Sequence, residues 1–259
     1  MAFDISKIKS RLNSLSNANN KSNLVWKPKP GKQVVRIVPY KFNPDQYSFI
    51  ELKFHYNLNN KTYLSPDSFG RPDPIVEWSN RLKKGSKDEW KLGKKMEPKL
   101  RTYAPIIVRG EEAEGIRFWG FGKTVYEELL KVIADPDFGD ISDLQTGRDI
   151  TVEFKEAVES GKSFPETTIR VKPNPSVALS EAQKDLLEYQ SDILELFPEY
   201  SYDELKEIMN AWLSPEGTPN DEHAEPATTT ESPANSAESS KDNTSSAEAA
   251  FDTLFGKTK

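Results

Sequence analysis

Residues 115–123, GIRFWGFGK, combine aromatic rings with cations in a pattern that could bind a nucleic acid. Because alternate side chains of a strand share a face, Arg117, Trp119, Phe121 and Lys123 are predicted to lie on one side, with Phe118 turned into the core. Two flat rings between two cations could stack bases and hold phosphates. Buried aromatic residues are common, so these nine residues alone also allow both rings to lie in the core.

A second group of rings and cations lies in residues 81–101, RLKKGSKDEWKLGKKMEPKLR. This segment holds nine Lys and Arg residues against three Asp and Glu residues, with Trp90 near its middle. A tryptophan among lysines is unusual for a loop that is merely solvated, and it favours contact with a nucleic acid. The alternative is an ordinary charged surface loop.

The charges are distributed unevenly along the 259 residues. Residues 1–123 hold 24 Lys and Arg against 12 Asp and Glu, residues 124–213 hold 8 against 20, and residues 214–259 hold 3 against 9. A basic N-terminal half fits a polyanionic partner, and an acidic tail could compete for the same surface. Alternatively, the opposite net charges of residues 1–123 and 124–213 neutralise each other within one fold, which leaves the acidic tail unexplained.

Composition also excludes several classes of protein. The chain has no cysteine, which excludes disulfides and thiolate metal sites, and His55 and His223 are too far apart to suggest zinc. No apolar run approaches the roughly 20 residues that span a bilayer, and the N-terminus lacks a signal-peptide pattern. No carboxylate set suggests two-metal chemistry. We therefore expect a soluble protein of a reducing compartment that is not an enzyme and has no membrane partner.

The N-terminal 20 residues are predicted to form an arm rather than a domain. Their apolar residues follow helical spacing, and Lys7, Lys9 and Arg11 lie beside them. So short a helix is not stable alone, so we expect it to dock on something else.

Residues 21–213 are predicted to form the core, a mainly β domain with added helices. The predicted elements suit an OB-type Greek-key barrel. They are five or so strands, a hairpin turning at Asn59 and Asn60, a hairpin around residues 161–165 and one helix over 123–135. Capping-box signatures at Ser180 and Ser201 predict two C-terminal helices, roughly 181–196 and 202–213.

Residues 214–259 have the composition of a disordered acidic tail. Apolar residues larger than alanine return only near the end, where Phe251, Leu254 and Phe255 could anchor a transient helix on a partner. The alternative is a tail that only adds solubility.

Several segments, taken in order, resemble the helix-destabilising single-stranded-DNA-binding protein family of T-even-like phages. The similar segments cover residues 1 to about 213, and they are NLVWKPKPGKQVVRIVP, FHYNLNNKTYL, EWKLGKK, KLRTYAPIIV, RFWGFGKTVYEELLKVI and SGKSFP. The order of the matches, with the basic arm and the acidic tail, carries the resemblance.

The resemblance implies that these segments supply the cations and rings of a DNA cleft. The implied DNA-binding residues are Arg36, Lys53, Trp90, Lys94, Lys95, Lys99, Arg101, Tyr103, Arg117, Trp119, Phe121, Lys123 and Phe164. It also implies that Lys7, Lys9 and Arg11 of the arm bind a neighbouring copy. The tail would cover the groove when DNA is absent and recruit replication and recombination proteins when it is displaced.

The chain departs from the family pattern in two places. The family holds zinc with one histidine and three cysteines, but here only His55 matches, so we expect no cofactor and a loop held by the prolines of GRPDP and by packing. The C-terminus, FGKTK, is basic where the family ends acidic and apolar.

The resulting expectation is a cooperative, sequence-nonspecific coat for single-stranded DNA in phage replication, recombination and repair, in the cytoplasm of an infected bacterium. An RNA-binding regulatory module of the same barrel type remains open, as does a replication scaffold acting through its arm and tail.

Overall fold

The computed structural model describes residues 24–43, 47–180 and 184–213. Over these ranges the chain forms an eight-stranded sheet and six α-helices. This mixed α/β structure agrees with the predicted strand-rich core with added helices. The predicted arm, residues 1–20, and the predicted tail, residues 214–259, lie outside the described residues.

The elements are numbered here in chain order. The strands are β1 (Val25–Trp26), β2 (Gly31–Ile37), β3 (Ile50–Leu58), β4 (Lys61–Leu64), β5 (Lys99–Val108), β6 (Arg117–Phe121), β7 (Arg148–Lys155) and β8 (Glu166–Pro175). The helices are α1 (Pro74–Leu82), α2 (Lys87–Met96), α3 (Lys123–Ile133), α4 (Ala157–Ser160), α5 (Asp185–Glu188) and α6 (Tyr202–Leu213). Short 3-10 helices cover Pro66–Phe69, Glu112–Glu114 and Ile193–Leu196.

The described chain divides into two compact units. The first contains residues 24–51 and 101–196, and the second contains residues 52–100 and 197–213. The predicted core of 21–213 therefore contains two compact units.

In the first unit the strands follow the order β1-β6-β5-β2-β7-β8. β1 runs parallel to β6, and the other neighbours are antiparallel. The order is open, with β1 at one end and β8 at the other, so an OB-type barrel remains a prediction. The predicted hairpin around residues 161–165 is confirmed, because β7 and β8 pair across it.

The larger of the two core clusters of the first unit lies on one face of this sheet. Val35 of β2 stands opposite both Val108 and Ile150, so strand alternation places all three apolar side chains on the same side. α3 covers this face with Val125, Tyr126 and Leu129, whose spacing fits one side of a helix. The predicted helix over 123–135 is confirmed, and it ends at Ile133.

The second unit joins the β3–β4 hairpin to helices α1, α2 and α6. Asn59 and Asn60 at the hairpin turn have φ of 51° and 59°, which asparagine tolerates better than most residues, and the predicted turn is confirmed. The three helices enclose an apolar cluster of Leu58, Tyr63, Ile75, Trp78, Leu82, Met96, Leu205, Met209 and Leu213. α6 begins as predicted, since the Ser201 amide donates to Glu204 Oε2 at 2.7 Å.

Two predicted segments are corrected. Residues 81–101 were expected to form a loop, but they contain α2, which starts at a capping box formed by Ser86 and Glu89. A continuous helix over 181–196 was also wrong, because only Asp185–Glu188 and the turn Ile193–Leu196 are helical. Residues 181–183 lie outside the described ranges.

Tertiary hydrogen bonds explain why that helix is interrupted. The Gln190 side chain accepts a bond from the Lys41 amide at 2.7 Å, and Asp192 accepts one from the Tyr40 hydroxyl at 2.6 Å. These bonds tie residues 190–192 to residues 40–41 of the same unit in a non-helical conformation.

Candidate nucleic-acid interface

The rings of β6 are part of the core, which corrects the predicted exposed face. Trp119 is 1% exposed and Phe121 is 3% exposed. Trp119 stands opposite Ala104 of β5, on the face that α3 covers, and its ring lies edge-on to Trp26 with centroids 5.9 Å apart. A base needs an open ring face for stacking, so neither ring can stack one in this structure. Phe118 is also buried, as predicted.

The two cations that flank β6 differ in their availability. Arg117 Nη2 donates to Glu111 Oε2 at 2.6 Å, and its side chain is largely covered. Lys123 is exposed and has only a loose ion pair with Glu127, at 3.4 Å. Of this predicted face, only Lys123 could reach a phosphate without breaking a close contact.

The prediction that Arg36 contacts DNA is also corrected, because Arg36 has a structural role. It is fully buried on β2, where its guanidinium donates to the Asp143 carbonyl and to Ser176 Oγ at 3.3 Å. Burial lowers the pKa of Arg36 to about 10, although the nearby charge of Asp149 opposes this shift. Arg36 thus holds the 143–147 turn and cannot reach a strand of DNA.

Tyr103 and Arg101 pack together around Gly120. Tyr103 is only 8% exposed, so the prediction that its ring binds DNA is wrong for this structure. A methyl group at Gly120 would lie 2.7 Å from Tyr103 Cε1, so only glycine lets the ring lie this close to β6. Arg101 Nη2 donates to the Gly120 carbonyl at 2.7 Å, so Arg101 packs beside the same glycine.

Phe164 and Lys53 occupy other parts of the surface. Phe164 is 56% exposed at the turn between β7 and β8. The strand registers place this turn at the Gly31 end of β2, whereas Arg101 lies past the Ile37 end. Phe164 and Arg101 are therefore far apart. Lys53, in the second unit, is bonded to Asp67 at 2.6 Å.

The second unit does bring an exposed ring and several cations together, on α2. Trp90 is 48% exposed, and helical spacing puts Lys87 and Lys94 on the same side as its ring, with Lys91 and Lys95 further round the exposed surface of the helix. We call these five residues the α2 basic face. Gly93 and Met96 lie on the opposite, buried side of the helix.

Glycine at position 93 lets α2 lie close to α1. A methyl group there would lie 2.7 Å from the Ser79 carbonyl oxygen and 3.0 Å from Leu82 Cβ. The Ser79 hydroxyl donates to the Gly93 carbonyl at 2.6 Å, which fixes the two helices together. This contact holds the α2 basic face rigidly on the second unit.

Gly93→Ala is therefore expected to destabilise the second unit by about 1–2 kcal/mol. Overpacking costs about 1–3 kcal/mol, and the higher helix propensity of alanine offsets up to about 1 kcal/mol of it. Urea unfolding followed by circular dichroism measures this. Lys95→Ala, on the exposed side of the same helix, should change stability by less than about 0.5 kcal/mol. Equal stability of the two variants would show that the helices do not pack closely at Gly93.

The lysines of residues 83–99 fall into two groups. Within the described part of the chain, Lys84, Lys87, Lys95 and Lys99 have no ion-pair partner, and each is exposed. Lys91 is paired with Asp88 at 3.0 Å, and Lys83 and Lys94 are both paired with Glu97. The unpaired lysines are the ones that can bind a phosphate at no cost in broken contacts.

Sequence reasoning missed two exposed rings that have cations beside them. Phe69 is 38% exposed and lies 4.9 Å from the Arg71 guanidinium, and Phe42 is 47% exposed and lies 5.5 Å from Lys41 Nζ. The available signal was the cation one or two residues away in each turn, in FGR and KF. Such short patterns are too frequent to single out a site.

His55 is buried in a hydrogen-bonded cluster in the second unit. Its Nε2 lies 2.9 Å from Asp73 Oδ2, and its Nδ1 lies 3.3 Å from the Met96 carbonyl. Ser65 Oγ donates to the same Asp73 oxygen at 2.5 Å, while Asp73 Oδ1 accepts bonds from the first amides of α1. This polar cluster therefore helps to hold the loop that contains GRPDP.

Comparison with known proteins adds no family assignment, because neither the family models nor the curated proteins match this chain. Within the described ranges, none of the helices has the length and apolar character needed to cross a bilayer.

Proposed function

We propose that the chain binds single-stranded nucleic acid through the α2 basic face. The observation that carries the proposal is Trp90, a large ring left about half exposed among lysines on a helix with a well-packed opposite side. Leaving so large a ring exposed forgoes the stabilisation that its burial would give, which favours a role in binding.

The physical chemistry of such a surface suits a single strand. A base stacked on an exposed aromatic side chain contributes about 1–3 kcal/mol, and each lysine that binds a phosphate releases counterions. In a duplex both faces of an internal base are already stacked, so Trp90 can act only on an unpaired base.

The same surface has no means of reading a base sequence. The cations of the α2 basic face are all lysines, which bind phosphates as point charges, and a ring stacks on any base. We therefore propose binding that is nonspecific in sequence and strongly dependent on salt.

The biological role that we propose comes from the resemblance to the phage family. In this proposal the chain folds around an OB-type barrel and is not an enzyme. It coats single-stranded DNA cooperatively during phage replication, recombination and repair, in the cytoplasm of the infected bacterium. Residues 1–20 would bind the next copy, and residues 214–259 would compete with DNA and recruit replication proteins.

The proposal is tested by titrating the full chain with oligo-dT and measuring the Kd. Trp90→Ala is expected to weaken binding by about 1–3 kcal/mol, or about 5- to 150-fold, without changing stability. Trp90→Phe keeps a ring and should retain most of the affinity. Oligo-rU of equal length compares RNA with DNA.

Phe164→Ala is the matched control, because it removes another exposed ring from the first unit. If Trp90→Ala binds oligo-dT as tightly as the unaltered chain, the α2 basic face is not the interface. A loss confined to Phe164→Ala would instead place the interface on the β7–β8 turn.

Tryptophan fluorescence gives a second readout of the same titration. Of the five tryptophans, Trp26, Trp78 and Trp119 are buried, and Trp90 is the most exposed. Quenching by DNA should therefore come mainly from Trp90 and should largely disappear in Trp90→Phe.

A further inference from the structure

Two lysines from different helices converge on one carboxylate at the edge of the α2 basic face. Lys83 follows the last residue of α1, and its Nζ lies 2.5 Å from Glu97 Oε1. Lys94 lies in the last turn of α2, and its Nζ lies 2.7 Å from Glu97 Oε2. Each carboxylate oxygen thus binds a different ammonium group.

This arrangement is an anion site that is already assembled. The contact between Gly93 and Ser79 fixes α1 against α2, so the backbone positions from which the two lysines extend are held close together. A phosphodiester group also offers two charged oxygens, and it could bridge the same two ammonium groups. Glu97 occupies the position that such a group would take.

We propose that Glu97 is an internal competitor for backbone phosphate, and that it leaves Lys83 and Lys94 when a single strand binds. This inference rests on the proposed function and extends it. It names a residue that sets the affinity and the salt dependence of the α2 basic face.

The exposure of the groups allows this exchange. The side chains of Lys94, Glu97 and Lys83 are 55%, 31% and 23% exposed, so water and salt reach all three groups and weaken their attraction. Ion pairs that solvent can reach contribute about 0–1 kcal/mol to stability, so displacement of Glu97 should cost the fold little. With Glu97 in place the three groups carry one net positive charge, and without it they carry two.

Glu97→Gln in the full chain tests the inference. The variant should bind oligo-dT more tightly than the unaltered chain at low salt. Its plot of log Kd against log salt should be steeper by about 0.7, the value for one further phosphate neutralised on a single strand. Thermal unfolding of the variant should be unchanged, which shows that the binding change does not come from the fold.

Glu207→Gln is the matched control, because it makes the same change of net charge on α6, where Glu207 is exposed. If the two variants bind equally, only overall charge matters and the inference fails. Weaker binding by Glu97→Gln also overturns it, since Glu97 would then be positioning the lysines for DNA. These results test only the role of Glu97. The proposed function itself is contradicted by a different result, namely that Trp90→Ala binds oligo-dT as tightly as the unaltered chain.

Discussion

Trp119→Ala lowers the free energy of unfolding by about 3–5 kcal/mol, the usual cost of truncating a large buried aromatic residue. The ring is 1% exposed and packs against Trp26 and Phe121, with centroids 5.9 Å and 4.7 Å away. α3 closes this face of the sheet, so the neighbouring side chains cannot fully collapse into the space. Urea unfolding followed by circular dichroism measures the change.

The same variant separates a core role from a binding role. At a temperature where Trp119→Ala is still folded, it should bind oligo-dT with the affinity of the unaltered chain. Phe164→Ala, which removes a ring that is 56% exposed, should change stability by less than about 0.5 kcal/mol. If Trp119→Ala is as stable as the unaltered chain but fails to bind DNA, Trp119 belongs to the interface and not to the core.

Asp73→Ala is expected to destabilise the second unit by a similar amount, about 3–5 kcal/mol, because it removes one partner of a buried polar cluster. His55 and Ser65 would each lose a buried acceptor, and α1 would lose its N-terminal cap. Ser65→Ala is the graded control, since it removes a single hydrogen bond to Asp73 and should cost about 1 kcal/mol. Equal costs for the two variants would show that Asp73 does not organise the cluster.

The pH dependence of unfolding gives an independent measure of the same residue. Burial alone would raise the pKa of Asp73, but the hydrogen bonds and charge that it receives, chiefly from His55, hold that pKa below its ordinary value. A lowered carboxyl pKa gives a stabilisation that is fully present above the unfolded value of about 3.9 and is lost as pH falls through the lower folded value. Asp73→Ala should therefore lose less stability below about pH 4 than the unaltered chain does.

Local sequence signals predicted the elements that depend on local chemistry. The Asn59–Asn60 turn, the Ser201–Glu204 capping box and the apolar spacing of α3 are each settled by a few neighbouring residues. The charged helix α2 was missed because few of its residues are apolar, and its buried side consists mainly of Leu92, Gly93 and Met96. A pattern so sparse does not distinguish a helix from a loop.

The sequence predicted only the part of the candidate site that can be recognised from local composition. Trp90 among lysines is visible in the sequence, and it is exposed as expected. For β6, alternation shows which residues share a face, but it does not show that the face of Trp119 and Phe121 is buried as well as the face of Phe118. That depends on where α3 packs, which put Trp119 and Phe121 inside and left Gly120 under Tyr103. The pairing of Lys83 and Lys94 with Glu97 likewise depends on the contact between two helices.

The last strand of the first unit has a consequence for solubility. In the described sheet β8 is a terminal strand, and the edge of such a strand can add a strand from another molecule and start aggregation. β8 carries Arg170 and Lys172 and then Pro173 and Pro175, which have no amide hydrogen to donate. Charge repulsion along the strand and missing donors at its end both oppose edge-to-edge pairing. Pairing of copies through the edge of β8 is therefore disfavoured even at high local concentration.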